Sequence, residues 1–377
     1  MDKNNTELAL LPSGFADLLP PDAEEEARAI TLLMKHFAAF GYHRVKPPLL
    51  EFEDSLLAPG PGARMAPDTF RLMDPVSHRM LGLRPDITPQ IARIASSRLC
   101  KEPRPLRLTY ASDVLRTRAS QLRTRRQFCQ VGCEIIGDGT IDTDVEICML
   151  ALIGLKDLGL KNITLDLNIP GFAARLTDGK MTEDMKSAIR QRNQDALAAS
   201  DIPAAKTIAK AMQAAGPAKT ALPALQKLEL PEALTKDIDI LSQLCSQLEA
   251  AINDLALTGI SLTIDILDQD GFEYHKGLGF TLFSPHIGGE LGRGGCYEVQ
   301  FGESDPPETA RGFTLYMDTI GKAATPPSAP PKLLAVPSSE KWTTLQDLQN
   351  QGWTILRGAP DHNCTHRYDS GKITPIE

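Results

Sequence analysis

The stretch VLRTRASQLRTRRQFCQVGCEIIG at residues 114–137 carries the pattern that predicts the fold. Its second half, from Arg126 onward, alternates between two sets of residues. One set contains Phe128, Gln130, Gly132 and Glu134, and the other contains Cys129, Val131, Cys133 and Ile135. Because successive side chains of a strand point to opposite faces, Gln130 and Glu134 are expected on one face. The preceding RPLRLTYASDVLR, which ends at Arg116, reads as a second long strand, and the basic stretch TRASQLRTR links the two.

Helices and further strands are predicted on the N-terminal side of this pair and just beyond it. In chain order they are a helix with Asp22 as its cap and Gly41 at its end, a short strand over 42–46, a loop over APGPGARMAPD, a hairpin that turns at Asp74 and Pro75, a helix from Thr88 and a helix that ends near Gly159. Asp favours the cap, Gly favours the helix end, and Asp-Pro favours the turn, which is why these positions mark the boundaries.

The composition changes between residues 173 and 257, where Ala, Leu, Lys and Gln dominate and prolines interrupt the chain. This part predicts several helices in an inserted lobe. Glycine-rich antiparallel strands follow, then a proline-rich linker over 325–331, then a strand–helix–strand pattern. The expectation is an α+β fold in which an antiparallel sheet is flanked by helices. Its domains are a discontinuous core at 1–172 and 258–324, a helical insertion at 173–257 and a small α/β domain at 332–377.

The composition excludes several classes of protein. The chain has 377 residues and a net charge of −8, which argues against a general nucleic-acid-binding surface. No apolar run approaches the length of a membrane span, and the N-terminus lacks the pattern of a secretory signal. Seven cysteines occur without a CxxC pair, and the histidines show no metal-ligand spacing. We therefore expect a reduced, cytoplasmic protein with no metal and no cofactor.

Charge is concentrated in one segment. Between Arg84 and Arg126, ten Arg and one Lys stand against three acidic residues, so this segment carries +8. Arg offers a planar donor fork to anions, so a phosphate site is one interpretation. For Arg104 and Arg107 a solvated or partner-facing surface is favoured. Arg116 differs from these, because it ends a strand and is expected to point across the sheet.

A second group of residues is acidic or neutral and polar. It consists of Asp86, Thr88, Gln130 and Glu134. Carboxylates on a sheet face are costly to bury without a cation or hydrogen-bond donors. Two of them beside an amide and a hydroxyl would suit an α-ammonium group or an imidazole N–H. The alternative is that each pairs with a neighbouring arginine as a structural salt bridge. His275, in a predicted hairpin, is either a pocket residue or a plain strand histidine.

These segments resemble the catalytic core of the class II histidyl-tRNA synthetases over residues 12–170 and 258–322. LRPDIT at 83–88 resembles the stretch that holds the histidine amino group, and residues 114–137 are similar to class II motif 2. The resemblance implies a class II synthetase-like sheet. It also implies that Asp86, Thr88, Gln130 and Glu134 occupy histidine-contacting positions.

The chain departs from the synthetases at the residues that act on ATP. In GFTLYMDTI, Thr319 stands at the arginine that clamps the phosphates, and Arg118 stands at the acidic position that holds adenine. Asp270 falls on an arginine that acts on the histidine carboxylate, and Cys296 replaces the arginine of a GGRYD segment. Loss of one cationic donor typically costs several kcal/mol of transition-state stabilisation. The departures therefore predict that amino-acid activation is lost.

A synthetase-like core without activation residues resembles the regulatory subunits of ATP phosphoribosyltransferase (HisZ). This resemblance implies no catalytic residue of its own, a partner in the short-form catalytic subunit (HisG), homodimers of this chain within a hetero-oligomer, and histidine as effector. The residues expected to bind histidine are Asp86, Thr88, Arg116, Gln130, Glu134, Tyr274 and His275. No tRNA is expected, since the C-terminal piece is about half the length of the anticodon-binding domain. The alternatives are an active histidyl-tRNA synthetase-like adenylating enzyme and a nucleic-acid-binding paralogue.

Overall fold

A computed structural model describes residues 10–58, 62–119, 123–268, 275–285, 287–300, 307–323, 332–358 and 364–376. Tyr274, Asp270 and the predicted linker over 325–331 lie outside the described residues. Contacts between residues divide the chain into two compact units, Met1–Ala324 and Thr325–Glu377. Each unit is described by itself.

The first unit contains both helices and strands. Its helices are α1 (Asp22–Ala39), α2 (Glu53–Leu56), α3 (Thr88–Ser97), α4 (Ile141–Asp157), α5 (Phe172–Leu176), α6 (Glu183–Arg190), α7 (Gln194–Ala198), α8 (Pro203–Ala214), α9 (Ala218–Leu225), α10 (Glu232–Asp254) and α11 (Met317–Ala323). Its strands are β1 (His43–Arg44), β2 (Leu50–Phe52), β3 (Phe70–Met73), β4 (Met80–Leu83), β5 (Leu106–Leu115), β6 (Gln127–Ile136), β7 (Ile163–Asn168), β8 (Gly216–Pro217), β9 (Ile260–Ile264), β10 (Gly279–Phe283), β11 (Gly292–Val299) and β12 (Glu308–Tyr316).

Among the described residues, nine strands form one sheet in the order β1-β5-β6-β12-β11-β10-β7-β9-β8. All neighbours from β5 to β7 are antiparallel, whereas β1 and β9 run parallel to their partners β5 and β7. The predicted antiparallel sheet and its two long strands are therefore confirmed. Strand order differs from chain order, so β6 lies between β5, its neighbour in sequence, and β12, which comes from a distant part of the chain.

One face of the sheet is apolar and packs against helices. Val131, Cys133 and Ile135 of β6 are fully buried in this core. On α1, Leu33 and Phe37 are buried one turn apart, and the Phe37 ring lies 5.6 Å from the ring of Phe313 on β12. The odd-numbered residues of β6 thus serve the core, which leaves Gln130, Gly132 and Glu134 on the opposite face.

The helices between residues 173 and 257 share the hydrophobic core of the sheet. Leu241, Leu244 and Leu248 recur at helical spacing on α10 and are buried in the same cluster as Leu150 of α4. This spacing is that of an amphipathic helix, with its apolar stripe directed at the core. The helical content of 173–257 agrees with the sequence, and the assignment of this stretch as a domain of its own stays a prediction.

A second, three-stranded sheet has the order β2-β4-β3. The predicted hairpin is confirmed, because β3 and β4 pair antiparallel. Asp74 closes its turn by accepting hydrogen bonds from the backbone N–H groups of Val76 and Ser77. Along this sheet Leu50, Phe52 and Leu72 are large apolar residues that remain more than a third exposed.

Two boundary predictions were wrong in detail. The first helix begins at Asp22 with Pro21 at the N-cap position, so Asp22 lies in the first turn and does not cap the helix with its side chain. There it interacts favourably with the positive end of the helix. The stretch that was expected to be only a loop contains a 3₁₀ helix over Ala63–Asp68, which accommodates Pro67 in its short turn.

The second unit is a small α/β arrangement. It contains β13 (Leu333–Val336), α12 (Trp342–Asn350), β14 (Thr354–Arg357), β15 (His366–Asp369) and β16 (Lys372–Pro375), and the strand order is β14-β13-β15-β16. The predicted strand–helix–strand is present, with Leu334, Val336, Leu345 and Leu348 as its core. The hairpin of β15 and β16 was not predicted.

Leu241→Ala is expected to lower the free energy of unfolding by about 2–5 kcal/mol, because it leaves a cavity in the shared core. The exposed neighbour Ile240, 41% accessible, provides the control, and Ile240→Ala should change stability by less than about 0.5 kcal/mol. Urea denaturation followed by circular dichroism measures both. An early, separate transition for the 173–257 helices in the Leu241 variant would contradict a shared core.

Candidate functional site

The start of helix α3 is attached to strand β6 by a ring of polar contacts. The Asp86 carboxylate accepts hydrogen bonds from the Thr88 backbone N–H (2.9 Å) and from Gln130 Nε2 (2.9 Å). Gln130 Oε1 in turn accepts from the backbone N–H of Ile87 at 3.1 Å. All of these groups are buried, and Gln130 has no exposed surface. The segment 83–88 and the strand therefore form one rigid polar wall.

Glu134 lies next to this wall and is surrounded by hydroxyl groups. Its carboxyl oxygens accept hydrogen bonds from Thr88 Oγ1 (3.2 Å), Tyr110 OH (3.2 Å) and Tyr297 OH (3.1 Å). Tyr110 OH also lies 2.8 Å from Thr314 Oγ1. The three donors come from α3, β5 and β11, so these three elements meet strand β6 at one carboxyl group.

Burial changes the protonation of Glu134. The side chain is about 1% exposed, and desolvation raises the pKa of its carboxyl group to about 8. The hydroxyl donors oppose this shift, and the charge of Asp86 adds to it. Burial also raises the pKa of Tyr110 well above its usual range. At neutral pH Glu134 is thus mainly a neutral, hydrogen-bonding group.

Two glycines, Gly132 and Gly312, leave space for the side chains of Tyr110 and Glu134. Gly312 of β12 is paired in register with Glu134, and a Cβ atom at Gly312 would collide with the Glu134 carboxyl group. Gly132 has the same relation to Tyr110, since a Cβ atom there would lie 2.5 Å from the tyrosine hydroxyl. The two glycines create the space in which the carboxyl and hydroxyl groups meet.

Arg116 provides a cation at the edge of the site. Its Nη2 atom lies 3.7 Å from Asp86 Oδ2, and its Nε atom donates to the Pro85 carbonyl at 3.2 Å. The side chain is about 29% exposed, so one side of the guanidinium group faces solvent. A carboxylate and a guanidinium group held this close complement the two charges of an amino-acid backbone.

Five predicted site residues are therefore brought together: Asp86, Thr88, Arg116, Gln130 and Glu134. Asp86 and Arg116 also show the salt bridge that the structural alternative predicted. The His275 ring lies next to Gly295 of β11, which is in register with Glu134 two strands away, so His275 does not join the five residues. Burial and the nearby charge of Arg293 lower the pKa of His275 to about 3, so its ring is neutral.

Three site residues were missed in the sequence: Tyr110, Tyr297 and Thr314. Because β5 was predicted as a strand, alternation could have indicated the face on which Tyr110 lies. The register between β5 and β6, which places Tyr110 next to Glu134, was not known from the sequence. Tyr297 directly follows Cys296, which was the only residue of the GGCYE segment that the sequence analysis considered. Cys296 points instead to the opposite face, where it is buried and is in register with Arg311 of β12. Burial raises the pKa of its thiol.

A second arginine covers the aromatic surface beside the site. The Arg123 guanidinium carbon lies 4.3 Å from the ring centre of Phe128 and 3.7 Å from that of Tyr316. Its Nε atom lies 3.6 Å from Asp318 Oδ2, and the side chain is 8% exposed. One face of each ring is thus already covered by a buried, ion-paired cation.

The other residues at the nucleotide-related positions do not supply cations to this region. Thr319 is buried in α11, and Arg118 is exposed. Arg104 and Arg107, expected to be solvated or partner-facing, instead form ion pairs within the chain, with Glu308 at 2.7 Å and Glu146 at 3.0 Å. These carboxylates come from distant sequence positions, which explains why the sequence did not reveal the pairs.

Within the described residues, no group of three or more His, Cys, Asp or Glu side chains is arranged to hold a metal ion. No helix in that part of the chain is long and apolar enough to cross a membrane. All seven cysteines are free thiols.

Comparison with known proteins agrees with this geometry. A family model described as histidyl-tRNA synthetase matches residues 14–320. Proteins named ATP phosphoribosyltransferase regulatory subunit are 42% identical in Rhodospirillum centenum, over 100% of this chain and 98% of the relative, and 42% identical in Paramagnetospirillum magneticum, over 98% of each. The chain belongs to the family of ATP phosphoribosyltransferase regulatory subunits.

Solved structures confirm the class II fold of this regulatory subunit family member. An ATP phosphoribosyltransferase regulatory subunit/histidyl-tRNA synthetase from Bacillus halodurans is similar with a TM-score of 0.79 and 22% identity, over 94% of this chain and 95% of that one. A histidyl-tRNA synthetase from Nostoc gives a TM-score of 0.69 at 15% identity, over 93% of this chain and 86% of that one.

Glu134→Gln is expected to be increasingly stabilising as pH rises. The carboxyl pKa is about 8 when folded against an ordinary 4.5, so the wild type loses stability between about pH 4.5 and 8, because folding then requires uptake of a proton. The amide has no proton to take up. The difference in free energy of unfolding should grow by up to about 1.4 kcal/mol per pH unit, measured by urea denaturation from pH 5 to 8. A pH-independent difference, like that of the exposed control Glu24→Gln, would contradict a buried, protonated Glu134.

Proposed function

We propose that this chain is the non-catalytic subunit that activates a short-form ATP phosphoribosyltransferase catalytic subunit (HisG) and makes it sensitive to histidine. One observation carries the proposal: the polar cradle at Asp86, Gln130 and Glu134 is complete, while the adjoining aromatic surface is covered by Arg123. A site that binds an amino acid but cannot react it with a nucleotide is an effector site. Family membership points to the same role.

The cradle suits free histidine. Asp86 would accept the α-ammonium group with Thr88 and Gln130 beside it, and Arg116 would take the α-carboxylate, so the ligand replaces the Asp86–Arg116 pair at 3.7 Å with two pairs of its own. Glu134, with its hydroxyl neighbours, would face the imidazole N–H. We assign Tyr274 and His275 to the closing side of the pocket.

Histidine binding to this chain does not by itself change the activity of the catalytic subunit. Histidine changes activity only if it prefers one state of the assembly, and the reciprocal effect is that the catalytic subunit changes the affinity for histidine. Helix α3 is a suitable element for this coupling, because its N-terminal residues both form the cradle and hold Glu134. The proposal includes cytoplasmic location, in keeping with the free thiols.

An adenylating enzyme is the second candidate. For a nucleotide ring to stack there, Arg123 would have to move away from the rings of Phe128 and Tyr316. The position that would need a cation to bind the phosphates is occupied by Thr319. We therefore rank it below the regulatory role, and we expect neither histidine-dependent ATP–pyrophosphate exchange nor tRNA binding.

Self-association as a homodimer within the hetero-oligomer is also proposed. Leu50 and Phe52 of β2 and Leu72 of β3 share one face of the three-stranded sheet by alternation and register, with Leu81 and Leu83 of β4 between them. Leu50, Phe52 and Leu72 are each about 37% exposed. An apolar sheet face of this kind favours burial against another surface.

The central test is reconstitution with the short-form catalytic subunit. Phosphoribosyl transfer to ATP should require this chain and should be inhibited by histidine. Asp86→Asn is expected to weaken histidine binding and inhibition about 10- to 100-fold, because hydrogen bonds to charged groups contribute about 1.5–3 kcal/mol, while activation without histidine persists. The exposed control Asp142→Asn should behave as wild type. Unchanged inhibition in the Asp86 variant would place the effector elsewhere, and no activation by the wild type would refute the regulatory role.

Leu72→Glu is expected to dissociate the homodimer, since a charged side chain in an apolar interface is left without a partner. Sedimentation equilibrium should give the mass of a dimer for the wild type and for the control Ile240→Glu, which alters an exposed residue on α10. For the Leu72 variant it should give the mass of a monomer. A dimeric Leu72 variant would mean that another surface is used.

A further inference from the structure

A groove of about 330 Å³ lies outside the histidine cradle, between the first turns of α1 and helix α11. Its walls include four apolar residues, Leu18, Ala29, Met317 and Ile320, and four carboxylates, Asp22, Glu25, Glu26 and Asp318. The groove is therefore amphipathic. Nothing in the proposed regulatory role uses it.

The acidic end of the groove is buried and incompletely satisfied. The side chain of Asp318 is 5% exposed; its Oδ2 atom faces Arg123, and its Oδ1 atom has no hydrogen-bond partner. A buried acceptor without a partner is destabilising, because its lost hydration is not replaced. Asp318, in the wall of the groove, thus keeps one buried carboxylate oxygen without a hydrogen-bond partner.

Glu26 adds a second carboxylate that is poorly compensated. Within the described residues, no hydrogen bond or ion pair ties its side chain to a partner. Burial raises its pKa, and the negative charges of Asp113 and Asp318 raise it further, while Arg125 opposes them. The like charges of Glu26 and Asp318 would be relieved by a cation placed between them.

Basic residues of the groove lie at its rim. Arg28 and Lys322 are exposed and Arg125 is half-buried, and none of the three forms an ion pair with a carboxylate in the described part of the chain. Asp318 is the most buried charged group of the lining and is faced by the buried Arg123, whereas Glu26 has no ion-pair partner in the described part of the chain. The described residues hold no metal-ligand cluster at the groove, so an organic cation fits this chemistry better than a metal ion.

We propose that this groove receives an arginine or lysine side chain of the catalytic subunit. Such a side chain has an apolar stem, which matches Ala29, Met317 and Ile320, and a cationic head, which matches Asp318 and Glu26. An exposed apolar residue, Leu19 at 66% accessibility, follows Leu18 at the edge and extends the surface a protein partner would cover. The inference rests on the proposed regulatory role, because that role supplies the partner.

The test measures the affinity of the full-length chain for the catalytic subunit by isothermal titration calorimetry at low and high salt. Glu26→Gln keeps the shape of the side chain and removes its charge, and it should weaken the complex about tenfold and reduce the salt dependence of binding. Glu24→Gln is the matched control, since Glu24 lies on the same helix turn, is exposed and does not line the groove. Histidine binding and the melting temperature of the free Glu26 variant should be unchanged or, for melting, raised.

The outcomes separate the two proposals. If the wild type binds the catalytic subunit and Glu26→Gln binds equally well at both salt concentrations, the groove assignment is wrong and the regulatory role stands. If the double variant Glu26→Gln with Asp318→Asn also binds normally, both carboxylates are excluded from the interface. If the wild type does not bind the catalytic subunit, the regulatory role fails and the groove proposal fails with it.

Discussion

The carboxyl group of Glu134 is the point at which the sheet, helix α3 and the candidate site are joined. It is buried in the middle strand of the site, and it is kept there by hydroxyl donors from Thr88, Tyr110 and Tyr297. An isolated buried carboxylate would cost far more than a protein of ordinary stability can tolerate, so the group must be both hydrogen-bonded and largely protonated. Gly312 follows from the same constraint, because any side chain there would occupy the position of the carboxyl group.

This arrangement makes the amino-acid cradle part of the structural core. The hydroxyl and amide groups that would contact a ligand also satisfy Asp86 and Glu134 in its absence, so the site is preorganised and pays little to reorganise on binding. Because Thr88 at the start of α3 is bonded to both Asp86 and Glu134, helix α3 would respond to a ligand bound at this site. A ligand that takes over hydrogen bonds of Asp86 changes the forces on the first turn of the helix, which is the condition for passing a signal to a partner.

Strand alternation and turn residues in the sequence predicted local features, but not the contacts between strands that are distant in the chain. Alternation in RQFCQVGCEIIG placed Gln130 and Glu134 on one face, and Asp74 followed by Pro75 located a turn that the structure contains. Tyr297 and Thr314 could not be placed, because they reach Glu134 and Tyr110 through a strand order that differs from chain order. The hairpin of β15 and β16 was missed because its strands are four residues each and half polar, which gives no periodic signal.

The position of Arg123 would make the proposed histidine site compatible with the proposed loss of activation chemistry. Its stem and guanidinium group fill the space over Phe128 and Tyr316, and Asp318 neutralises its charge. A bound nucleotide would have to displace a cation that is stacked on two rings and ion-paired, and would gain in return no arginine at position 319. The hydrogen bonds given above for Asp86, Gln130 and Glu134 involve other residues than Arg123 and Asp318, although Phe128 and Tyr316 lie on the same strands β6 and β12. The two halves of the pocket could therefore diverge separately, because one is covered by Arg123 and the other is the proposed histidine site.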